Sequence, residues 1–225
     1  DAAFNAGARE VYLIEESMPA AIGARLPIHD PRASLIVDIG GGTTEVAVIS
    51  LGGVVASRSI RVAGDKLNED IIQYLKDESR LLIGERTAEE MKISIGSVWP
   101  QDEELDMEIS GRDMVTGLPK EIKITSSEIR KALMRSTRMI INAIKDTIEE
   151  TPPELVSDLT KKAIHLAGGG SLLRGFDVLL NHETKLPVKI IDDPLTAVVR
   201  GCGIVLEDID KLKDILVSTD KEEYR

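Results

Sequence analysis

The sequence predicts an α/β fold, and three observations carry that prediction. Short continuous apolar runs, the pattern of strands buried on both faces, alternate with long apolar stripes at helical spacing. Glycine-rich turns stand at the ends of two of those runs. The core must also be aliphatic, because 42% of the 225 residues are hydrophobic but only 3% are aromatic. That composition suits an α/β sandwich better than an aromatic-rich β sandwich. With 28 Lys and Arg against 39 Asp and Glu, the formal charge of −11 argues against nucleic acid as a partner. No apolar run approaches the ~18 residues of a membrane-spanning helix. Cys202 has no second cysteine to pair with, and no charged-then-apolar leader is visible, so the expected compartment is a reducing cytoplasm. The chain opens at Asp1 and its first residues read as the middle of a fold, so a piece of a longer protein is expected.

In order along the chain, Val11-Tyr12-Leu13-Ile14 predicts a doubly buried strand ending at Glu15-Glu16. Ser17 is the expected N-cap of the next helix. Pro19 is tolerated in its first turn, and Ala20, Gly23 and Ala24 give it a face of very small residues. Leu35 to Val37, Glu45 to Ser50 and Val54 to Ile60 read as a three-strand meander, joined first by Asp38-Ile39-Gly40-Gly41-Gly42-Thr43 and then by Leu51-Gly52-Gly53. A helix is expected from Gly64-Asp65 to about Ile83, stopped by Gly84, with Leu67, Ile71 and Leu75 on one stripe. Thr87 is the expected cap of a further helix through Glu89, Glu90 and Lys92. Residues 97–119 are polar and broken, with strand-like alternation at Leu105, Met107 and Ile109, and read as a small inserted subdomain. After a strand at Ile122 to Ile124, Ser126-Ser127 is expected to cap a long helix from Ile129 to Ile148 that Pro152-Pro153 ends. Ala163 to Ala167 is a short strand, Gly168-Gly169-Gly170 a tight turn, and Ser171 the cap of a helix carrying Leu172, Phe176 and Leu180. Val188 to Ile191 is the last strand, Asp193-Pro194 opens a helix through Leu206, and the charged tail from Ser218 is expected to fray.

Three features point to chemistry. Glycines 40–42 lie between two strands, so a dinucleotide fingerprint, which needs a helix directly after its glycines, does not apply. Free backbone N–H groups at such a turn can converge on a phosphate. Thr43 can add a hydroxyl, and Asp38 at the strand end can face a hydrated Mg²⁺. An ordinary hairpin with glycines at left-handed positions is the competing explanation. Gly168-Gly169-Gly170-Ser171 is a strand-to-helix turn suited to an anion or to a flat ring against the backbone. It lacks the Gly-Lys-Ser/Thr ending of a P-loop, and a merely well-capped helix would look the same. The third feature is a second small-residue helix face, Ala197, Gly201 and Gly203, which like the first follows an acidic strand end, here Asp192-Asp193. Such faces allow close helix crossing. The scattered histidines 29, 165 and 182 show no zinc spacing, and no nucleophile elbow appears.

Taken together, these motifs resemble the actin and sugar-kinase superfamily, and within it the MreB family of bacterial actins. The stretches that carry the resemblance are Arg9 to Glu16, Val37 to Ile49, Gly84 to Glu89, Leu166 to Leu173 and Asp193 to Thr196. The resemblance implies an actin-like ATPase fold of the ribonuclease H-like type, with the second domain complete and the first in part. Residues 1–33 would carry a hinge strand and helix of the first domain, and residues 34–192 the second domain with its insertion at about 97–119. Residues 193–225 would supply the second hinge helix and the C-terminal part of the first domain. The N-terminal phosphate loop of the family is absent. Where the family reads Glu-Glu-Pro-Met-Ala-Ala, this chain has Glu15-Glu16-Ser17-Met18-Pro19-Ala20.

By the same resemblance, ATP or ADP with Mg²⁺ would lie in a cleft between two domains. Gly41, Gly42 and Thr43 would hold phosphates with Asp38 near the metal, Gly169, Gly170, Ser171 and Leu172 would flank the adenosine, and Glu89, Glu90 and Lys92 would reach it from the other side. Glu16 would orient the attacking water, with Glu15 as the alternative. The implied protein is a filament-forming cytoskeletal ATPase of the bacterial cytoplasm that organises cell-wall synthesis and maintains rod shape. Its weak ATPase activity would belong to the full-length protein. Its partners would be further copies of itself in paired protofilaments, together with cell-wall synthesis and membrane cell-shape proteins. The inner-membrane surface would be met only through parts outside this chain. The alternatives are a DnaK-like chaperone ATPase, which should continue into a substrate-binding domain, and a sugar or acetate kinase, which should carry a polar sugar-binding insertion.

Overall fold

The computed structural model describes residues 1–217. The chain begins with α1 (Ala2–Asn5) and α2 (Ser17–Gly23), then β1 (Ser34–Ile39), β2 (Thr44–Ser50), β3 (Gly53–Ile60) and α3 (Gly64–Glu78). It continues with β4 (Leu81–Leu82), α4 (Glu85–Ile95), β5 (Asp106–Asp113), β6 (Pro119–Thr125) and α5 (Ser126–Glu150). It ends with α6 (Pro153–Leu159), β7 (Ile164–Ala167), α7 (Phe176–Thr184), β8 (Val188–Ile190) and α8 (Ala197–Glu207).

The main sheet has the order β3-β2-β1-β7-β8. The meander is antiparallel, whereas β7 joins β1 and β8 joins β7 in parallel. All six residues of β1 are buried because helices cover both faces of the sheet. Alternate β1 residues divide between the two layers. Leu35, Val37 and Ile39 join a core with α3 and α5, while Ile36 joins Met18, Ala20 and Ala197 of α2 and α8. At the sheet edge, β3 alternates between exposed and half-buried residues. A smaller sheet, β4-β5-β6, shares the first core through Leu81, Ile109 and Ile124. No helix among the described residues is long and apolar enough to cross a membrane.

The small-residue faces meet each other. A Cβ built on Gly23 would stand 1.9 Å from the carbonyl oxygen of Ala197, and one on Gly201 would stand 1.9 Å from that of Pro19. Even alanine would force these backbones apart, a type of overpacking that costs about 1–3 kcal/mol. Gly203, which has open space around it, takes no part in the crossing.

Several expected boundaries move, each for a local reason. Val11 to Ile14 forms no strand, and Val11, Tyr12 and Leu13 are exposed. A strand exists only by pairing, and among the described residues the one backbone partner of this run outside helices and strands is the Val217 N–H, donated to Leu13 O at 2.8 Å. Ser17 is the first helical residue, and the N-cap position falls to Glu16. The helix predicted to reach Ile83 stops at Glu78, because Arg80 turns left-handed at φ +54° and Leu81–Leu82 pairs with Arg112 and Asp113. The next helix starts at Glu85 behind Gly84, not at Thr87. The cap of α5 is Thr125, in a reciprocal capping box with Glu128, in place of Ser126-Ser127. Ser171 caps nothing: residues 169–172 form one 3₁₀ turn, and α7 begins only at Phe176. Asp193-Pro194 likewise opens a 3₁₀ turn, with α8 starting at Ala197. The expected fraying from Ser218 lies outside the described residues.

Candidate functional site

Because β1 and β7 are parallel neighbours with Asp38 opposite Ala167, their C-terminal ends emerge at the same edge of the sheet. The turn after β1 is closed by the Gly40 N–H donating to Thr43 O at 3.0 Å. Two further backbone bonds fasten the start of α3 to it: Gly64 N–H to Gly40 O at 3.0 Å and Asp65 N–H to Gly41 O at 2.8 Å. None of glycines 40–42 adopts a left-handed φ. A Cβ on Gly42 would meet nothing within 4 Å, and one on Gly41 would make only ordinary contact with Asp65. The ordinary-hairpin explanation, which needs glycine for its conformation, therefore does not apply here.

The turn after β7 is built differently. Gly168 has φ +78°, and a Cβ there would lie 2.4 Å from Asp38 Oδ1, so backbone and packing both require glycine. A Cβ on Gly170 would strike the Ile39 side chain at 2.2 Å, whereas one on Gly169 would approach only the flexible end of Leu195.

Both turns line one pocket of about 490 Å³. Of the residues singled out from sequence, Gly41, Glu89, Lys92, Gly169, Gly170 and Leu172 line it. Glu89 is held from two sides, because the Asn68 amide donates to its Oε2 at 2.6 Å and Lys92 Nζ to the same oxygen at 2.8 Å. Lys92 also donates to Gly64 O at 3.0 Å, linking α4 to the start of α3. Burial would raise the Glu89 pKa, but the hydrogen bonds from Lys92 and Asn68 outweigh it, and the net shift is downward. Exposed apolar side chains, Ile93, Leu172 and Leu195, border the opening.

The remaining candidates lie off this lining. Ser171 is fully buried and donates inward to Gly168 O at 2.6 Å. Glu90 is exposed and pairs with Arg86 at 3.0 Å. Gly42 and Thr43 form the apex of the turn. Sequence reasoning had placed Gly64 and Asp65 at a helix start without a role, and it missed Asn68, Arg174 and Leu195. Arg174 donates to Gly96 O at 3.2 Å and also to Ser94 O, holding the end of α4 against the second turn. No local pattern announces a contact between such distant segments.

Asp38, only 7% exposed, has its pKa raised to about 6, first by burial and then by the charges of Glu16 and Glu45. Asp38 lies behind the pocket lining; Glu16 reaches it electrostatically, whereas Glu15 is not among the groups acting on it. Among the described residues no group of three or more His, Cys, Asp or Glu side chains is placed to hold a metal ion. The donor set fits Mg²⁺ of the kind bound through one carboxylate, with phosphate and water supplying the other positions. Between about pH 4 and pH 6 the folded chain binds the extra proton, so Asp38 lowers stability as pH rises through that window. Asp38→Asn is expected to stabilise the metal-free protein by up to about 3 kcal/mol at pH 7 and by nothing near pH 4. Melting temperatures of the two proteins at both pH values check this, and an equal gain at both would mean that charge is not the cause.

A mixed sheet covered by helices on both faces, with glycine turns at adjacent strand ends, defines an actin-like fold, and solved structures agree. The crystal structure of MreB5 of Spiroplasma citri bound to AMPPNP matches with TM-score 0.90 and 44% identity, covering 93% of this chain and 63% of that one. The MamK double helical filament matches in fold at TM-score 0.71 and 23% identity, over 86% of this chain and 59% of that one. The MreB/Mbl protein family matches residues 1–214, and the chain belongs to it. Cell shape-determining protein MreB of Escherichia coli (strain K12) is 50% identical over 210 residues, 93% of this chain and 60% of the relative. Cell shape-determining protein Mbl of Bacillus cereus is 48% identical over 212 residues, 94% of this chain and 64% of the relative. The chain thus spans under two thirds of the length of these relatives.

Proposed function

We propose that this chain is the larger part of an ATP-binding, filament-forming bacterial actin homologue that organises cell-wall synthesis and maintains rod shape. The observation that carries the proposal is the meeting of the two glycine turns, Gly40–Thr43 and Gly168–Leu172, in one pocket closed on the third side by Glu89 and Lys92. Gly41 and Gly42 are needed neither for conformation nor for packing, which supports close approach of a ligand to the backbone. The relatives crystallised with AMPPNP and with ADP support a nucleotide as that ligand. Family membership favours the cytoskeletal reading over a chaperone or a sugar kinase.

In this reading, residues 34–192 are the second actin-like domain, and residues 1–33 and 193–225 belong to the first. Backbone N–H groups of Gly41 and Gly42 and the Thr43 hydroxyl hold phosphates. Leu172, with Gly169, Gly170 and the internally bonded Ser171 shaping its turn, presents a surface to the base. Glu89, fixed by Lys92, faces the sugar, and Glu90 supports the outer end of that helix. Bound Mg²⁺ would neutralise phosphate charge beside Asp38, whose raised pKa suits a cation. Glu16 orients water for in-line phosphoryl transfer, a reaction driven by positioning and charge stabilisation. The working form is a paired protofilament in the cytoplasm, in contact with cell-wall synthesis and membrane cell-shape proteins.

The test is electron microscopy of the full-length protein with ATP, combined with calorimetric titration of ADP and AMPPNP. Paired filaments and saturable binding at one site are expected. Absence of both nucleotide binding and filaments would overturn the proposal.

A further inference from the structure

A second cavity, of about 590 Å³, opens beside Ser34, at the end of β1 remote from the glycine turn. It lies between the loop after α2, the starts of β1 and β7, the outer part of β8 and Arg200 of α8. Its volume falls in the range of small-molecule sites.

Four basic side chains line it, Arg25, Lys162, Lys189 and Arg200, against the single carboxylate of Asp192. In a chain of net charge −11 that balance is locally inverted. Arg200 is paired with Asp193 at 2.8 Å. Among the described residues, Arg25, Lys162 and Lys189 have no carboxylate partner; Lys162 donates only to Arg32 O at 3.2 Å and to Ser34 Oγ at 3.5 Å. His165 also lines the cavity, although its Nδ1 is buried away from the surface and has no hydrogen-bond partner among the described residues. Burial first, and then the charges of Lys189 and Lys162, hold its imidazole below the ordinary histidine value. Asp192 in the lining and Asp30, whose carboxyl Lys162 helps hold low, are the nearby acids, and neither is in an ion pair with Lys162 or Lys189 among the described residues. Leu26, Pro27 and Ile191 supply an apolar wall beside the cations.

Unpaired cations converging on a cavity with an apolar wall are what a small acid with a compact apolar body requires. We propose that this cavity is a binding site for a small organic oxyanion, a phosphate ester or carboxylate whose charged group meets Lys162 and Lys189 and whose apolar body lies on Leu26, Pro27 and Ile191. The site is separate from the glycine-turn pocket and does not depend on what binds there.

Phenyl phosphate and benzoate are suitable probes, titrated calorimetrically into the full-length protein with ADP and Mg²⁺ in excess so that the other pocket is blocked. Saturable binding of at least one probe is expected, weakened about tenfold or more in the Lys162→Gln/Lys189→Gln double variant. Lys189→Arg should retain it, and ADP affinity should be the same in all three proteins. In the wild type the bound probe should also shift the imidazole resonances of His165, a readout that needs no variant. Absence of saturable binding, binding unchanged by the double substitution, or binding seen only without ADP would each overturn the proposal.

Discussion

Replacing Glu16 with alanine in the full-length protein is expected to slow hydrolysis of bound ATP by about 10²- to 10⁴-fold and to leave ATP affinity unchanged. Glu16 occupies the N-cap position of α2 but its side chain makes no capping hydrogen bond. The substitution therefore removes no capping hydrogen bond, and a thermal melt of the variant separates a fold defect from lost chemistry. Its charge raises the Asp38 pKa, so it lies within electrostatic reach of the strand end where the phosphates are proposed to sit. Glu15→Ala should hydrolyse at nearly the wild-type rate, because Glu15 has no such influence. Single-turnover phosphate release by the three proteins at matched filament mass decides the matter. Equal rates would show that neither carboxylate positions the water.

The second large effect is expected at Gly42. Valine there should weaken ATP binding by about 10²-fold or more, the equivalent of losing two charge-assisted hydrogen bonds from the turn. Folding should be almost untouched, since nothing lies within 4 Å of the new Cβ and the backbone is not left-handed. The loss would come from a branched side chain standing where phosphate approaches the backbone. Calorimetric titration with AMPPNP, alongside a thermal melt, separates the two quantities. An affinity equal to wild type would remove the turn apex from the site.

Much of the fold was legible because it is written in local periodicity. The meander, the stripe of α3, the long α5 and the short β7 before its glycines each follow from spacing within one segment. What failed depends on partners or on unusual dihedrals. Val11 to Ile14 has the composition of a strand, but among the described residues no strand pairs with it. The α3 stripe continues smoothly into Leu81 and Leu82, and only the left-handed Arg80, which no glycine announces, ends the helix. Ser171 stands where a cap should be, yet its hydroxyl satisfies Gly168 inside a 3₁₀ turn. The glycine turns could be found as motifs, and their common edge follows from the pairing of β1 with β7. Asn68 and Arg174 could not, since their importance rests on Glu89 and on the end of α4, positions remote in sequence. Glu15 and Glu16 are indistinguishable as letters and are separated only by which of them reaches Asp38.

The unequal neighbours of β1 also set an order of assembly. Its pairing with β2 closes through the four-residue turn itself, so that half of the pocket can form as soon as the meander does. Its pairing with β7 must wait until the chain has passed through α3, the small sheet and α5, a distant closure of the kind that slows folding. The Gly168–Leu172 turn arrives with β7, so the two turns meet only when this long-range contact is made. A nascent or partly unfolded chain can present the first turn but not the second, and a ligand that needs both discriminates in favour of chains that have finished folding. Occupancy then stabilises the native state as a unit by mass action and leaves the early meander unaffected.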